Sequence, residues 1–411
     1  MKPEGATEKI LSLVKSFCGQ AAVSALTDDL RRTDRLERNM VTRSPQKRIE
    51  QISFQDQSKL DRLITLCHAK LSGDDVCQVL LGIGDIFKRH GEMNRAEEMY
   101  SLALRQSART SAKGILAEAY LRRGELYSRT GQWKQSGSDL GRSRTLFASL
   151  NRHDALARVE NILGTNYAEQ GQLNLAVPLF EHALTLFERT QQTEQAGTVL
   201  MNLGIVCNII GDYDSALAHY KRAQRCFEGI GDMNRLAELH HNMGMGFLSK
   251  QLNTQAVREF NTCHALSAKL RNVSLMGLAN LGKANAYFRQ RDFEMAMKLV
   301  LQSIEAFTIA SDRLSLADAY KIKGMIHREI RGYAAAESYL QTSLRINLEM
   351  NNQLNAAETY FELAALKLKQ RKTGDALGAL HKARLGFKKT GAQEEEARTR
   401  NLINSIEGGK Q

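Results

Sequence analysis

Proline is scarce in this chain: Pro3, Pro45 and Pro178 are the only three in 411 residues. The strongest helix breaker is thus missing from nearly the whole length, while the good helix formers Leu, Ala, Glu, Lys, Arg and Gln are abundant. That composition predicts an all-helical chain. Tryptophan occurs once, at Trp133. Long apolar runs are also missing, and the stretch around Leu203 to Ile210 falls well short of the roughly 20 residues of a membrane span. Near the start, Ile10, Leu11, Leu13, Val14 and Phe17 are broken by Lys9 and Lys15 and make too short a run for a secretory leader. Six cysteines, Cys18, Cys67, Cys77, Cys207, Cys226 and Cys263, show no C-x-x-C spacing and fall among helix-patterned residues. They are expected to be reduced thiols in a cytoplasmic protein.

Signs of catalysis are missing as well. His240 and His241 are adjacent, so on a helix they point about 100° apart and cannot share a metal as a His-x-x-x-His pair would. The glycines form neither G-x-x-x-x-G-K-[ST] nor G-x-G-x-x-G loops, and the serines and cysteines lack nucleophile contexts. The sequence predicts no enzyme, no cofactor and no metal.

What the sequence does contain is a repeat. Stepping by forty from Gly84 gives Gly124, Gly164, Gly204, Gly244, Ala284, Gly324 and Ala364, every one small. Twelve residues further on stand Ala96, Ser136, Ala176, Ala216, Ala256, Ala296, Ala336 and Ala376. Four residues after those come the large Tyr100, Leu140, Phe180, Tyr220, Phe260, Val300, Leu340 and Leu380, and three more bring Ala103, Ser143, Ala183, Ala223, Cys263, Ser303, Ser343 and Ala383. Steps of four and three share one helical face, where small residues let a neighbouring helix approach and the large one fills the gap. In the first half of each unit, Gly91, Gly131, Gly171 and Gly211 mark a turn. Gln251, Arg291, Arg331 and Arg371 replace them in later units, so the later turns are expected to differ. In the sixth unit Asn280-Leu281-Gly282 sits two residues ahead of the register that Ala284 keeps.

The arrangement of Gly164, Tyr167, Gly171, Ala176, Phe180 and Ala183 resembles the tetratricopeptide repeat. In its forty-residue form it is similar to the arrays of Pins-type adaptors, rapsyn and kinesin light chains. The resemblance implies an all-α fold, a right-handed α-solenoid of about eight helix-turn-helix units. It also implies a partner peptide or helix held on the concave face by the first helix of each unit. Carried over to the fourth and fifth units, the family's concave positions are Met201, Asn202, Ile205, Asn208 and Ile209, then His241, Asn242, Met245 and Leu248. Apolar and amide side chains suit a peptide, although Asn202 and Asn242 could equally satisfy neighbouring helix ends. The same positions of the first units carry mixed charge, with Lys88, Arg89, Arg122 and Arg129 among Asp85, Glu118 and Glu125.

The expected organisation is an amphipathic helix and charged linker at 1–50, an N-terminal capping helix at 51–76, eight units at 77–396, and a C-terminal capping helix and tail at 397–411. Ser44-Pro45 resembles a substrate of proline-directed kinases. The formal charge is +12, and eight basic residues cluster against the single acid Asp375: Lys367, Lys369, Arg371, Lys372, Lys382, Arg384, Lys388 and Lys389. This is either a solvated face or a secondary contact for an acidic partner. The sequence thus reads as a protein-interaction adaptor. The alternative is an RNA-binding or membrane-surface repeat that uses the basic last unit.

Overall fold

A computed structural model describes residues 9–16, 20, 23–24, 26–28, 65, 73–109 and 112–408. Seventeen helices run from residue 73 onward: α1 (Gly73–Arg89), α2 (Met93–Ser107), α3 (Lys113–Arg129), α4 (Trp133–Ser149), α5 (His153–Glu169), α6 (Leu173–Arg189), α7 (Thr193–Ile210), α8 (Tyr213–Ile230) and α9 (Met233–Ser249). They continue as α10 (Asn253–Lys269), α11 (Val273–Arg289), α12 (Phe293–Ala310), α13 (Arg313–Glu329), α14 (Tyr333–Glu349), α15 (Gln353–Lys369), α16 (Thr373–Thr390) and α17 (Gln393–Gly408). No strand occurs among the described residues, and no helix among them is long and apolar enough to cross a membrane. The chain forms two compact units, residues 1–166 and 167–411.

In the first unit, α1 packs on α2 and α3 on α4, with α3 also touching α1 and α2. The helical residues 9–16 dock on α1: Ile10 and Val14 are buried in one cluster with Val76, Leu80, Ile83 and Phe87. Leu13 lies where a side chain at Gly82 would have to go. The proposed capping helix at 51–76 and the Ser44 site lie outside the described residues, apart from Thr65 and residues 73–76, the last of which begin α1. The fourth helix replaces the usual small apolar residue with Ser136, and its hydroxyl donates to the Gly124 carbonyl at 2.7 Å.

In the second unit, successive pairs stack from α7 with α8 to α15 with α16, and each first helix also touches the first helix of the next pair. The small-large rule operates through direct contact. A β-carbon added at Gly204 would lie 2.4 Å from the Tyr220 ring, at Gly244 2.6 Å from Phe260, and at Gly324 2.7 Å from Leu340. The out-of-register Gly282 has a reason of its own: it receives the same Phe260 ring from the preceding pair, 2.4 Å from where its β-carbon would be. Phe260 therefore sits between two glycines on different helices.

The later turns do not differ from the earlier ones, contrary to expectation. Gln251, Arg291, Arg331 and Arg371 hold φ of 59°, 65°, 64° and 60°, the left-handed conformation that Gly91 and Gly211 take. The hydrogen bonds coincide too: Asp292 N–H reaches the Tyr287 carbonyl as Asp212 N–H reaches that of Cys207. This six-to-one bond closes the helix whatever the side chain, so the backbone keeps it at a cost of about 1 kcal/mol per non-glycine residue. Asp212, Asp292 and Asp312 then cap the next helix by accepting a backbone N–H. At the C-terminus, α17 begins at Gln393, with Glu394, Glu395 and Glu396 in its first turn. It covers α16 with Ile403 buried beside Leu380 and Ala364.

Candidate functional site

The first helices of the second unit border a cleft of about 620 Å³. Its walls come from α9, α11, α13 and α15, with Phe387 of α16 and residues of α17 closing one side. Met245, Leu278, Ile322, Met325 and Phe361 supply apolar surface. Four successive first helices contribute because residues forty apart recur on the same helix face, so a side chain accessible on one helix has counterparts on the next.

Charged groups cross this apolar lining, and most are paired. Lys321 stands between Asp318, at 3.1 Å, and Glu358, and Asn355 donates to Asp318 at 3.2 Å. Burial alone would lower the Lys321 ammonium, but the two carboxylates outweigh it and raise its pKa. Burial raises the Asp318 carboxyl in spite of Lys321. Glu362 receives Arg328, a guanidinium nearly enclosed by the fold. His241 at the cleft wall is pushed down to about 4 by burial, so it is neutral near pH 7, and its ring lies 5.6 Å from that of Phe260.

Many pairs follow a spacing that the sequence reading missed. Asp318 and Asn355, and Lys321 and Glu358, are 37 residues apart, as are Asp85 and Arg122, and Lys88 and Glu125, in the first unit. A step of 37 is one repeat less about one helical turn, which is where neighbouring first helices meet. Opposite charges at that step mark the three ion pairs among them. The mixed charges of the first unit consequently neutralise one another: Lys88 meets Glu125 at 3.0 Å, and Arg122 bonds Asp85 and Glu118.

Of the groove residues expected from the sequence, His241 and Met245 line the cleft. Met201 and Leu248 do not stand on a surface: they are 6% and 2% exposed and pack between helices. Asn202, Ile205, Asn208 and Asn242 are half-buried on α7 and α9, away from the cleft lining. The cleft begins at the fifth pair and continues to the last, so the apolar surface is displaced toward the C-terminus from the fourth and fifth units. His240, next to His241, hydrogen-bonds Glu259 at 2.7 Å through Nδ1.

The structure also divides the basic cluster. Lys367 pairs with Glu337 at 2.7 Å, Lys369 with Glu329 at 3.8 Å and Arg384 with Glu396 at 3.8 Å. Lys382 lies over the Tyr360 ring. Arg371 and Lys372 occupy the turn before α16, whereas Lys388 and Lys389 lie in its last turn, some 24 Å away at 1.5 Å per residue. Eight charges contiguous in sequence are thus not one patch.

Comparison with known proteins places this geometry in a group. Two tetratricopeptide-repeat family models match residues 115–189 and 161–229. Tetratricopeptide repeat protein 29 of Macaca fascicularis is 21% identical over 257 residues, and its Homo sapiens counterpart 22% over 258. In both cases the match covers 58% of this chain and 54% of the relative, so the chain spans about half the length of the relatives it matches. Among solved structures, the apo form of the quorum sensor NprR from B. thuringiensis is similar with a TM-score of 0.61 at 15% identity, covering 86% of this chain and 94% of that one. A Rap protein complexed with Competence and Sporulation Factor gives 0.54 at 12% identity, covering 81% and 98%. At these identities the likeness is one of fold.

Proposed function

Because this chain is a tetratricopeptide-repeat protein, we propose that it is a non-enzymatic interaction adaptor that holds a segment of a partner protein in the cleft of its second unit. The observation that carries this reading is the cleft itself: the first helices of four successive pairs line it with apolar side chains among charged and amide groups, and most of its acids are already neutralised from within. A cleft that runs across four helices suits an extended or helical peptide, which places successive side chains along it. The Rap protein of the same fold was solved with a bound factor, in keeping with this role.

His241 and Met245 belong to this contact, and Asn202, Ile205, Asn208 and Asn242 extend it along α7 and α9 as polar and apolar flanks. The divided basic residues of the last pair, chiefly Arg371, Lys372, Lys388 and Lys389, serve at most as separate electrostatic contacts for an acidic partner. Their division argues against an RNA or membrane stripe, which needs continuous positive charge.

The test is a photoreactive amino acid placed at Met325 in the cleft or at Leu301, which is exposed on α12. Adducts from position 325 that map to a single segment of one partner, with none of that segment from 301, support the reading. The reverse pattern refutes it.

A further inference from the structure

The cleft's charges do not all cancel. Asp318 and Glu358 share Lys321, and Glu362 has Arg328. Arg398 lies over the Phe361 ring. Arg289 is different. Its Nη1 donates to the Leu248 carbonyl at 2.6 Å and its Nε to Asn285 Oδ1 at 3.2 Å, both neutral acceptors. Among the described residues no carboxylate pairs with it. Partial desolvation against the cleft wall lowers its pKa with no opposing charge to restore it.

Two neutral acceptors do something specific to a guanidinium: they fix its plane while leaving Nη2 and the positive charge for a third group. Arg289 stands in the last turn of α11, exposed at the cleft rim, beside Asn285, Phe288 and Met245 in the lining. A pre-oriented cation next to aromatic and thioether surface matches an anion with a bulky apolar neighbour.

Building on the cleft reading, we propose that the bound segment carries an acidic side chain beside bulky apolar residues, and that Arg289 receives its carboxylate. The acid belongs to a side chain and not to a chain terminus. Arg289 lies on an open rim over which a chain can pass, with the apolar lining continuing along α13 and α15 for the residues that follow.

A phage-displayed library of random linear peptides, selected on the full chain, supplies the probe. A selected peptide is then synthesised with its acid intact, with that acid changed to the amide, and with its C-terminus amidated. Each is titrated against wild type, Arg289→Gln, Arg289→Lys and Met325→Arg. The expected result is that Arg289→Gln weakens the acidic peptide roughly ten-fold and leaves the side-chain amide peptide unchanged, with Arg289→Lys in between. Equal effects of Arg289→Gln on acid and amide peptides overturn the carboxylate assignment. So does an Arg289→Gln effect that vanishes on amidating the C-terminus instead. If Met325→Arg leaves every selected peptide bound, or if no peptide is selected, the cleft reading itself fails and this proposal fails with it.

Discussion

Gly204 of α7 lies against the ring of Tyr220 of α8, so closely that a β-carbon at 204 would sit 2.4 Å from Tyr220 Cε1. The contact explains why a glycine stands in the middle of a helix, where it ordinarily costs about 1 kcal/mol relative to alanine. Gly204→Ala is therefore expected to destabilise by about 1 to 3 kcal/mol, against the helix-propensity trend, because the ring must move. Gly282→Ala should behave alike, through Phe260. Denaturant midpoints that rise in either variant would mean that the helices do not approach this closely.

Arg291 and Arg331 predict the opposite sign. Each holds a left-handed conformation, at φ 65° and 64°, that glycine adopts without strain. Arg291→Gly and Arg331→Gly should each stabilise the second unit by roughly 1 kcal/mol. Urea titration of the single variants measures this directly, and a loss of stability would contradict the turn geometry.

His241 makes stability depend on pH. Its folded pKa, about 4, is below the ordinary value of 6.5, so the unfolded chain takes up the proton first. Stability contributed by the neutral ring is present above pH 6.5 and is lost as pH falls toward 4. Between about pH 7 and about pH 4.5 the wild type should lose roughly 2 kcal/mol more than His241→Gln. Parallel losses in the two proteins would show that the ring is not enclosed.

Much of the fold was legible because close packing leaves a periodic signature. Gly204 with Tyr220, and Gly244 with Phe260, stand sixteen residues apart in successive units of the sequence, and the structure brings each pair into contact. The turns at Arg291 and Arg331 were misread because propensity describes one residue, whereas the closing bonds belong to the backbone on either side. The cleft was only half legible. Offsets along a single helix indicate which side a residue faces, but Met201 and Leu248 are covered by neighbouring helices that those offsets ignore. The Lys321–Glu358 pair follows the step of 37, and Arg289 stands apart because its two acceptors, the Leu248 carbonyl and Asn285 Oδ1, are both neutral.

A partner segment held in the cleft bordered by α9, α11, α13 and α15 should be sensitive to charge placed in that cleft and insensitive to charge placed elsewhere. The most direct measurement is calorimetric titration of the segment identified by cross-linking against wild type, Met325→Arg and Leu301→Arg, with helicity and denaturation midpoint matched across the three. Met325→Arg, which puts a charge into the apolar lining, should weaken binding by more than about ten-fold, while Leu301→Arg on the exposed side of α12 should change it by less than about two-fold. Undiminished affinity in Met325→Arg, with the loss appearing in Leu301→Arg, would contradict the account.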